Sequence, residues 1–177
     1  MTATVNWNVY TGVAPGSAAT KTGIRLKSAD DDDTSTILYP VRIPDVGTNY
    51  SYVVSSKINV SVAPDTSITN MQLYGDGAGF GTGITVNIGD QYPVTYVQAT
   101  GTPGVTGTIM TTVYTGVITS VTDLFSYTSG SPLTLPMLKN SGTGDYTNFI
   151  CIQAYVGTTA TKGAKSAENI TLQYDEV

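Results

Sequence analysis

The chain has 177 residues, a net charge of −5 and no histidine. A length of this order fits one domain, residues 1–177, with a core large enough to need neither a metal nor a disulfide. Its eight Lys and Arg residues form no run, which argues against a nucleic-acid binder, because affinity for phosphates depends on clustered cations. We also expect no export and no membrane span, since neither a signal peptide nor a stretch of about 18 apolar residues is visible.

The composition favours strands over helices. Thr, Ser, Gly, Val and Tyr dominate, whereas Leu, Glu, Lys and Arg are scarce. Thr, Val and Tyr are strand formers, and the scarce residues are good helix formers. Turn residues divide the chain into about eight to ten short segments, which is typical of a sandwich or a jelly roll. The sequence therefore predicts an all-β antiparallel domain with little helix.

The predicted strands differ in how clearly the sequence marks them. The strand at 50–63 is the clearest, because apolar and polar residues alternate along it and only Val53 and Ser56 break the pattern, which indicates one buried and one solvated face. The strand at 37–43 contains Pro40, as edge or bulged strands do. The strand at 148–156 is apolar on both sides and should be buried on both faces. In chain order, the predicted strands are residues 5–9, 23–27, 37–43, 50–63, 68–74, 84–88, 92–98, 108–119, 148–156 and 169–174.

Two segments have an irregular composition. Residues 29–35 include four consecutive aspartates, Asp30 to Asp33, and predict a solvated loop between strands. These carboxylates could instead bind Ca²⁺, although the glycine and the distal glutamate of an EF-hand loop are missing. Residues 75–83 have glycine at every second position, which predicts an unusual backbone path. They lack the lysine and the following helix of a phosphate-binding loop, so we interpret them as a surface loop or hairpin.

No charged residue occurs between Gln91 and Thr122, a stretch rich in Thr, Gly and Val. Charges normally protect exposed strand edges from pairing with other chains. Two interpretations of this stretch are open. It is buried in the sandwich, or it is an arm or edge that lies on a neighbouring subunit.

The residue types needed for common catalytic and metal sites are missing or dispersed. Without histidine, Ser–His–Asp and Cys–His catalysis are excluded, and one cysteine cannot form a zinc site. That cysteine, Cys151, lies in an apolar run and should act as a small buried hydrophobe. The acidic residues fall mostly in predicted loops, which does not favour paired carboxylates for glycoside hydrolysis. The twelve tyrosines indicate packing, with a sugar-binding platform as the alternative. We expect no enzyme, no cofactor and no metal site.

One set of stretches is spread over most of the chain. They are Gly23-Ile-Arg-Leu-Lys-Ser-Ala-Asp30, Pro44 with Gly47-Thr-Asn-Tyr-Ser-Tyr52, Ile68-Thr-Asn-Met-Gln-Leu-Tyr-Gly-Asp-Gly77, Gly81-Thr-Gly-Ile84, Asp123-Leu-Phe-Ser-Tyr-Thr-Ser-Gly-Ser-Pro-Leu133 and Ala167-Glu-Asn-Ile-Thr-Leu-Gln-Tyr-Asp-Glu-Val177. In order and spacing these stretches resemble virion structural proteins of tailed bacteriophages. The resemblance is absent from about Gln91 to Val121.

This resemblance implies a particle component, on the head or the tail, with no catalytic residues to carry over. An acidic sandwich with neutral edges suits binding to the outside of a symmetric protein shell. We therefore expect a capsid decoration protein of the virion, assembled in the host cytoplasm, that binds the major capsid protein or other virion proteins. A homo-oligomer such as a trimer would add multivalency. The alternatives are a tail or baseplate component and a carbohydrate-binding module for host adsorption; we expect no nucleic-acid or membrane partner.

Overall fold

The structure is a computed structural model that describes residues 2–14, 16–31 and 38–177. Antiparallel strands are the main regular structure of these residues, in which helix is limited to one short α-helix at Met110–Val113 and one 3-10 turn at Leu124–Ser126. The prediction of an all-β, sandwich-like fold with little helix is confirmed. The elements are β1 (Thr4–Thr11), β2 (Ser17–Thr20), β3 (Thr48–Tyr50), β4 (Val54–Val62), β5 (Ile68–Gly75), β6 (Ile84–Gly89), β7 (Gly101–Thr102), β8 (Thr106–Gly107), α1 (Met110–Val113), β9 (Val121–Asp123), β10 (Leu133–Thr134), β11 (Gly144–Asp145), β12 (Ile150–Gly157) and β13 (Ile170–Glu176).

Most described strands belong to a large central sheet with a small sheet packed on one face. The central sheet has the order β2-β1-β4-β12-β6-β9, with β3 paired to β12 and β11 paired to β4. The small sheet has the order β10-β5-β13, and β7 and β8 form a separate hairpin. The main core lies between the two sheets: Ile68, Met71 and Leu73 of β5 meet the apolar side chains of β4, β6 and β12. Removing these side chains from water supplies the main stabilising term.

The central strand β12 is buried on both faces, as its sequence predicts. Ile150 and Ile152 point into the main core, whereas Cys151 lies in a second core on the opposite face of the sheet. This division follows from the alternation of side chains along a strand. The second core is covered by residues 91–122, which we call the uncharged segment. The buried side chains that this segment contributes to the second core include those of Tyr96, Ala99, Met110, Tyr114 and Ile118.

The predicted strand at 50–63 is present, but it is broken between β3 and β4 at residues 51–53. At the break, the Ser51 amide donates to the Ala154 carbonyl at 2.9 Å. The Ser51 hydroxyl accepts the Ala154 amide at 2.9 Å and so takes the place of a backbone carbonyl in the ladder. The next amide, that of Tyr52, leaves the sheet and donates to the Lys27 carbonyl at 2.8 Å.

Gln153 of β12 links this break to the uncharged segment. Its side chain is fully buried. Its Nε2 donates to the carbonyls of Ser51 at 2.7 Å and Thr108 at 2.8 Å, and its Oε1 accepts the Met110 amide at 2.9 Å. Both N–H groups and the carbonyl of the side-chain amide are therefore satisfied, as burial of a polar group requires.

Five other predicted strands are confirmed with small shifts of their ends: 5–9 in β1, 68–74 in β5, 84–88 in β6, 148–156 in β12 and 169–174 in β13. Two predictions near the N-terminus are wrong. Residues 23–27 and 38–43 form no strand, and Ile37 lies outside the described residues. These stretches bond to other loops rather than to a ladder, since the Ser28 amide donates to the Tyr39 carbonyl at 2.8 Å and the Arg42 amide to the Val105 carbonyl at 3.0 Å.

Two predicted strands within the uncharged segment, 92–98 and 108–119, are also wrong. In the first, burial recurs every third residue, at Pro93, Tyr96 and Ala99, which the two-residue period of a strand cannot produce. In the second, burial recurs every fourth residue, at Met110, Tyr114 and Ile118. That spacing belongs to α1 and the turn after it, in which the Ile118 amide donates to the Tyr114 carbonyl at 3.0 Å. Burial on a helical face here outweighs the strand propensity of the β-branched residues.

Replacing Gln153 with leucine removes the buried amide at similar side-chain size. Gln153→Leu should lower the free energy of unfolding by about 3 kcal/mol or more, because two buried backbone groups and one partly buried backbone group lose their partners. Urea unfolding measures this change. Gln173→Leu, on an exposed position of β13, is the matched control and should change stability by no more than about 0.5 kcal/mol. Equal losses in the two variants would contradict the role of Gln153.

Candidate functional site

The carboxylates of the described residues are dispersed and bonded to the fold. No group of three or more Cys, Asp or Glu side chains within these residues is placed to hold a metal ion. Asp145 of β11 accepts hydrogen bonds from Lys57 Nζ at 2.9 Å and Asn59 Nδ2 at 2.8 Å. Burial raises the pKa of Asp145, but these hydrogen bonds and the Lys57 charge outweigh it and lower the pKa overall. This carboxylate therefore fastens β11 to β4.

The aspartate cluster at 30–33 is only partly described, since Asp32 and Asp33 lie outside the described residues. Within the predicted solvated loop Asp31 is exposed, but Asp30 is partly buried: its Oδ2 accepts the Gly12 amide at 3.0 Å and Gln98 Nε2 at 2.8 Å. Burial raises its pKa, and these hydrogen bonds oppose that shift. Asp31 forms an ion pair with Lys27. Cation binding by the whole cluster stays an open alternative to the expected absence of a metal site.

The glycine-rich residues 75–83 comprise the last residue of β5 and the loop that connects it to β6. Gly77, Gly79 and Gly81 have φ values of 84°, 66° and 86°, which side chains disfavour. A strand and not a helix follows, so the loop has no helix N-terminus with which to bind phosphate. The loop borders an open cleft of about 270 Å³ in which Asp123 is the one ionisable residue among the described lining residues. Paired-carboxylate chemistry needs a second acid, which the described lining does not provide.

Cys151 lies in the second core beside Ser55 and Tyr114. It is a free thiol and is 1% exposed. Burial raises its pKa to about 12, so the thiol is protonated at neutral pH. The Ser55 hydroxyl lies 2.7 Å from the Tyr114 hydroxyl and 3.9 Å from the Cys151 sulfur. A nucleophilic cysteine is accessible and has a lowered pKa, and Cys151 has neither property.

The tyrosines pack into the fold rather than forming a surface platform. Of the twelve, all except Tyr39 are buried or partly buried. Tyr10 and Tyr96 surround Phe149 with ring centroids at 5.0 and 5.7 Å. These contacts give no support to the sugar-binding alternative.

The two ends of the uncharged segment are joined by hydrogen bonds of Asp90 to Thr119 and Ser120, which we call the Asp90 clasp. Asp90, the residue before the segment, accepts the Thr119 amide at 3.0 Å and the Thr119 hydroxyl at 2.7 Å. The Asp90 amide donates to the Ser120 carbonyl at 3.0 Å. The hydrogen bond from Thr119 lowers the pKa of Asp90 to about 2. The clasp closes the segment into a loop that lies over the second core.

The outer side of this loop exposes valines. Val94, Val97 and Val117 are 74%, 39% and 42% exposed. The Tyr114 hydroxyl lies 3.3 Å from both the amide nitrogen and the carbonyl oxygen of Val97. It therefore ties α1 to the first part of the loop.

The turn between β1 and β2 carries a fourth exposed valine, next to a residue that the uncharged segment contacts. The Tyr96 hydroxyl donates to the Gly12 carbonyl at 3.1 Å, which fixes the turn beside the uncharged segment. The next residue, Val13, is 80% exposed. We call Val13, Val94, Val97 and Val117 the valine face. The lack of charge draws attention to three of these residues in the sequence, but Val13 is distant in the chain and no sequence signal connects it to them.

Comparison with known proteins gives no relative: the sequence matches no protein-family model, and neither a curated protein nor a solved structure is significantly similar to it. Within the described residues, every helix is too short or too polar to cross a membrane.

The burial of Cys151 predicts that its thiol is unreactive in the folded protein. A maleimide should label the protein at least about a hundredfold more slowly in buffer than in denaturant, because labelling needs an exposed thiolate. Mass spectrometry of the labelled protein over time measures both rates. Rapid labelling of the folded protein would contradict the burial of Cys151.

The clasp at Asp90 predicts a pH dependence of stability. Because folding lowers the pKa of Asp90 from its ordinary value near 3.9, its stabilisation is present above about pH 4 and is lost as the pH falls toward about 2. Asp90→Asn should therefore lower the melting temperature at pH 6 and reduce its decline between about pH 4 and pH 2. Asp45→Asn, which removes an exposed carboxylate, is the control and should leave the profile unchanged. Identical profiles for Asp90→Asn and the unsubstituted protein would rule out the clasp.

Proposed function

We propose that this protein is a non-enzymatic structural component of a tailed-phage particle, which binds the outside of the assembled head as a decoration protein. The observation that supports this proposal is the valine face, four exposed apolar side chains on the uncharged segment and on the turn that Tyr96 contacts, on a protein of net charge −5. Exposed apolar side chains that the fold holds together are typical of protein–protein contacts. The phage assignment itself rests on the resemblance of the sequence.

The described chemistry supports an assembly role over catalysis. Asp30, Asp90 and Asp145 each accept hydrogen bonds from neighbouring segments, and Cys151 is inaccessible. Each of these groups is therefore bonded within the fold or buried in it. A catalytic group would instead be accessible to a substrate.

Decoration stabilises a shell by mass action. A protein that binds only the assembled shell lowers the free energy of that state relative to dissociated subunits. Many copies on a symmetric shell allow each contact to be weak while the total effect is large. A tail or baseplate component would use the same kind of surface at a different location and at lower copy number.

Particles assembled with and without this protein provide the test. Particles that lack it should release their DNA at a lower temperature than complete particles. They should also need a higher salt concentration to retain their DNA. Adding the purified protein back to the deficient particles should restore the difference. Equal resistance of the two kinds of particle to heat and low salt would contradict a clamping role.

The location of the protein separates head from tail. Quantitative mass spectrometry of purified particles should give a copy number comparable to that of the major capsid protein. A copy number of only a few per particle would favour a tail or baseplate component. Absence of the protein from purified particles would contradict the proposed function, whether on the head or on the tail.

A further inference from the structure

The small sheet has one long open edge. In the order β10-β5-β13, the last strand pairs with β5 on one side, and no described strand pairs with it on the other. β13 has seven residues, whereas β2 and β9, the outer strands of the central sheet, have four and three. We propose that the open edge of β13 binds β13 of a second copy, antiparallel, so that the small sheets of the two copies join. This contact is additional to the proposed function and does not rest on it.

Every second residue of β13 presents its backbone to the open edge. The residues that flank β13 both bond toward β5: the Asp76 amide donates to the Asn169 carbonyl at 3.2 Å, and the Val177 amide donates to the Ser67 carbonyl at 2.8 Å. Because backbone groups alternate between the two sides of a strand, the even-numbered residues of β13 direct their N–H and C=O groups away from β5. No described backbone group bonds to them there. These groups can therefore accept an added strand.

The edge lacks the features that usually prevent strand pairing, which are bulges, prolines and charges along the strand. Between the partners of Gln173 and Asp175, β5 has one residue more than β13, so the bulge lies in β5, where Asn70 has a φ of 52°. The two charged residues of β13 stand together at its end, and both are bonded within the fold. Asp175 accepts Asn70 Nδ2, and Glu176 accepts the Ala3 amide at 2.7 Å.

The main core is incompletely covered at this edge. Ile68 and Leu73 of β5 are fully buried in that core. Ile170, Leu172 and Tyr174 of β13 pack against the same core but are only partly buried. A strand added beside β13 would cover these three side chains, and the removal of their apolar surface from water would favour the contact.

The sequence of β13 makes it complementary to itself when two copies run antiparallel. With Gln173 opposite Gln173 on a two-fold axis, all seven residues overlap. The even-numbered residues of each copy then face one another, as the hydrogen bonds of the ladder require. Leu172 lies opposite Tyr174 on the side of the core, which is a favourable cross-strand pair.

The same register keeps the acids of the two copies apart. Asp175 lies opposite Thr171, four residues or about 13 Å along the strand from Asp175 of the second copy. That separation exceeds the Debye length of about 10 Å at 0.1 M salt, so the repulsion is largely screened. Parallel strands would instead place acid beside acid. A strand of any other protein would have to match this length, apolar pattern and placement of acids, whereas β13 of a second copy matches them by its own sequence.

A contact between identical edges about a two-fold axis closes into a dimer, because each copy has one such edge. The small sheet and the uncharged segment cover opposite faces of the central sheet, so pairing through β13 does not use the valines of that segment.

A charge exchange at the two-fold axis tests the inference. Sedimentation velocity of the full chain, from about 1 µM to about 1 mM, should show a monomer–dimer equilibrium. Gln173→Glu and Gln173→Lys should each weaken it at least about tenfold, because each places like charges opposite one another. An equimolar mixture of the two variants should dimerise at least as strongly as the unsubstituted protein, since a carboxylate then lies opposite an ammonium group.

Gln91→Glu is the matched control, because it makes the same change of charge at an exposed residue outside β13 and should dimerise like the unsubstituted protein. Equal melting temperatures of the variants at the lowest concentration would establish that all of them fold.

Amide hydrogen exchange separates pairing along β13 from any other self-association. The amides of Leu172 and Tyr174, which face the open edge, should exchange at least about tenfold more slowly in the dimer than in the monomer. Those of Thr171 and Gln173, which face β5, should be protected in both states.

A protein that stays monomeric over the whole range would overturn the inference, as would a mixture of the two variants that dimerises no better than either alone. Recovery of such a monomer with purified particles would leave the proposed function standing without the β13 contact. A dimer that is absent from particles would contradict the proposed function and leave the β13 contact standing.

Discussion

The arrangement of this protein depends on Gln153, a fully buried amide in the middle of the central strand β12. It bonds to Ser51 at the break between β3 and β4, and to Thr108 and Met110 in the uncharged segment. A buried amide is stabilising only when all its groups are paired, so these three backbone positions must be in place together. Gln153 thereby sets where the central sheet is interrupted and where the covering loop meets it.

The consequence of this constraint is a sheet with two different covers. On one face, a small sheet closes a conventional apolar core. On the other face, a loop packs on Cys151 and its neighbours, and the Asp90 clasp holds the two ends of that loop together. A loop has no ladder on its outer side, so its outward side chains are free to form a contact surface. In this protein those side chains include exposed valines without a charge among them, and the proposed assembly role follows from that surface.

The sequence predicts the sandwich well and the covering loop poorly, for a physical reason. Alternation along β5, β13 and the second half of β4 reflects one buried face, and that pattern is local. The path of residues 91–122 is set by distant partners: the Tyr96 hydroxyl finds Gly12, and the Met110 amide finds Gln153. Their composition is strand-like, and only the four-residue spacing of Met110, Tyr114 and Ile118 hints at the helical turn. The lack of charge marked this stretch as unusual, but the inclusion of Val13 in the same surface could not be predicted from local pattern.

Hydrogen exchange of single amides tests most directly whether Gln153 makes the loop and the sheet one cooperative unit. The Met110 amide, which donates to Gln153, should exchange as slowly as the amides of Ile152 and Ala154 in β12, because all of them would open only in global unfolding. If the Met110 amide exchanges orders of magnitude faster than those of β12, the uncharged segment opens independently. The covering loop would then not be the rigid surface on which the proposed contact depends.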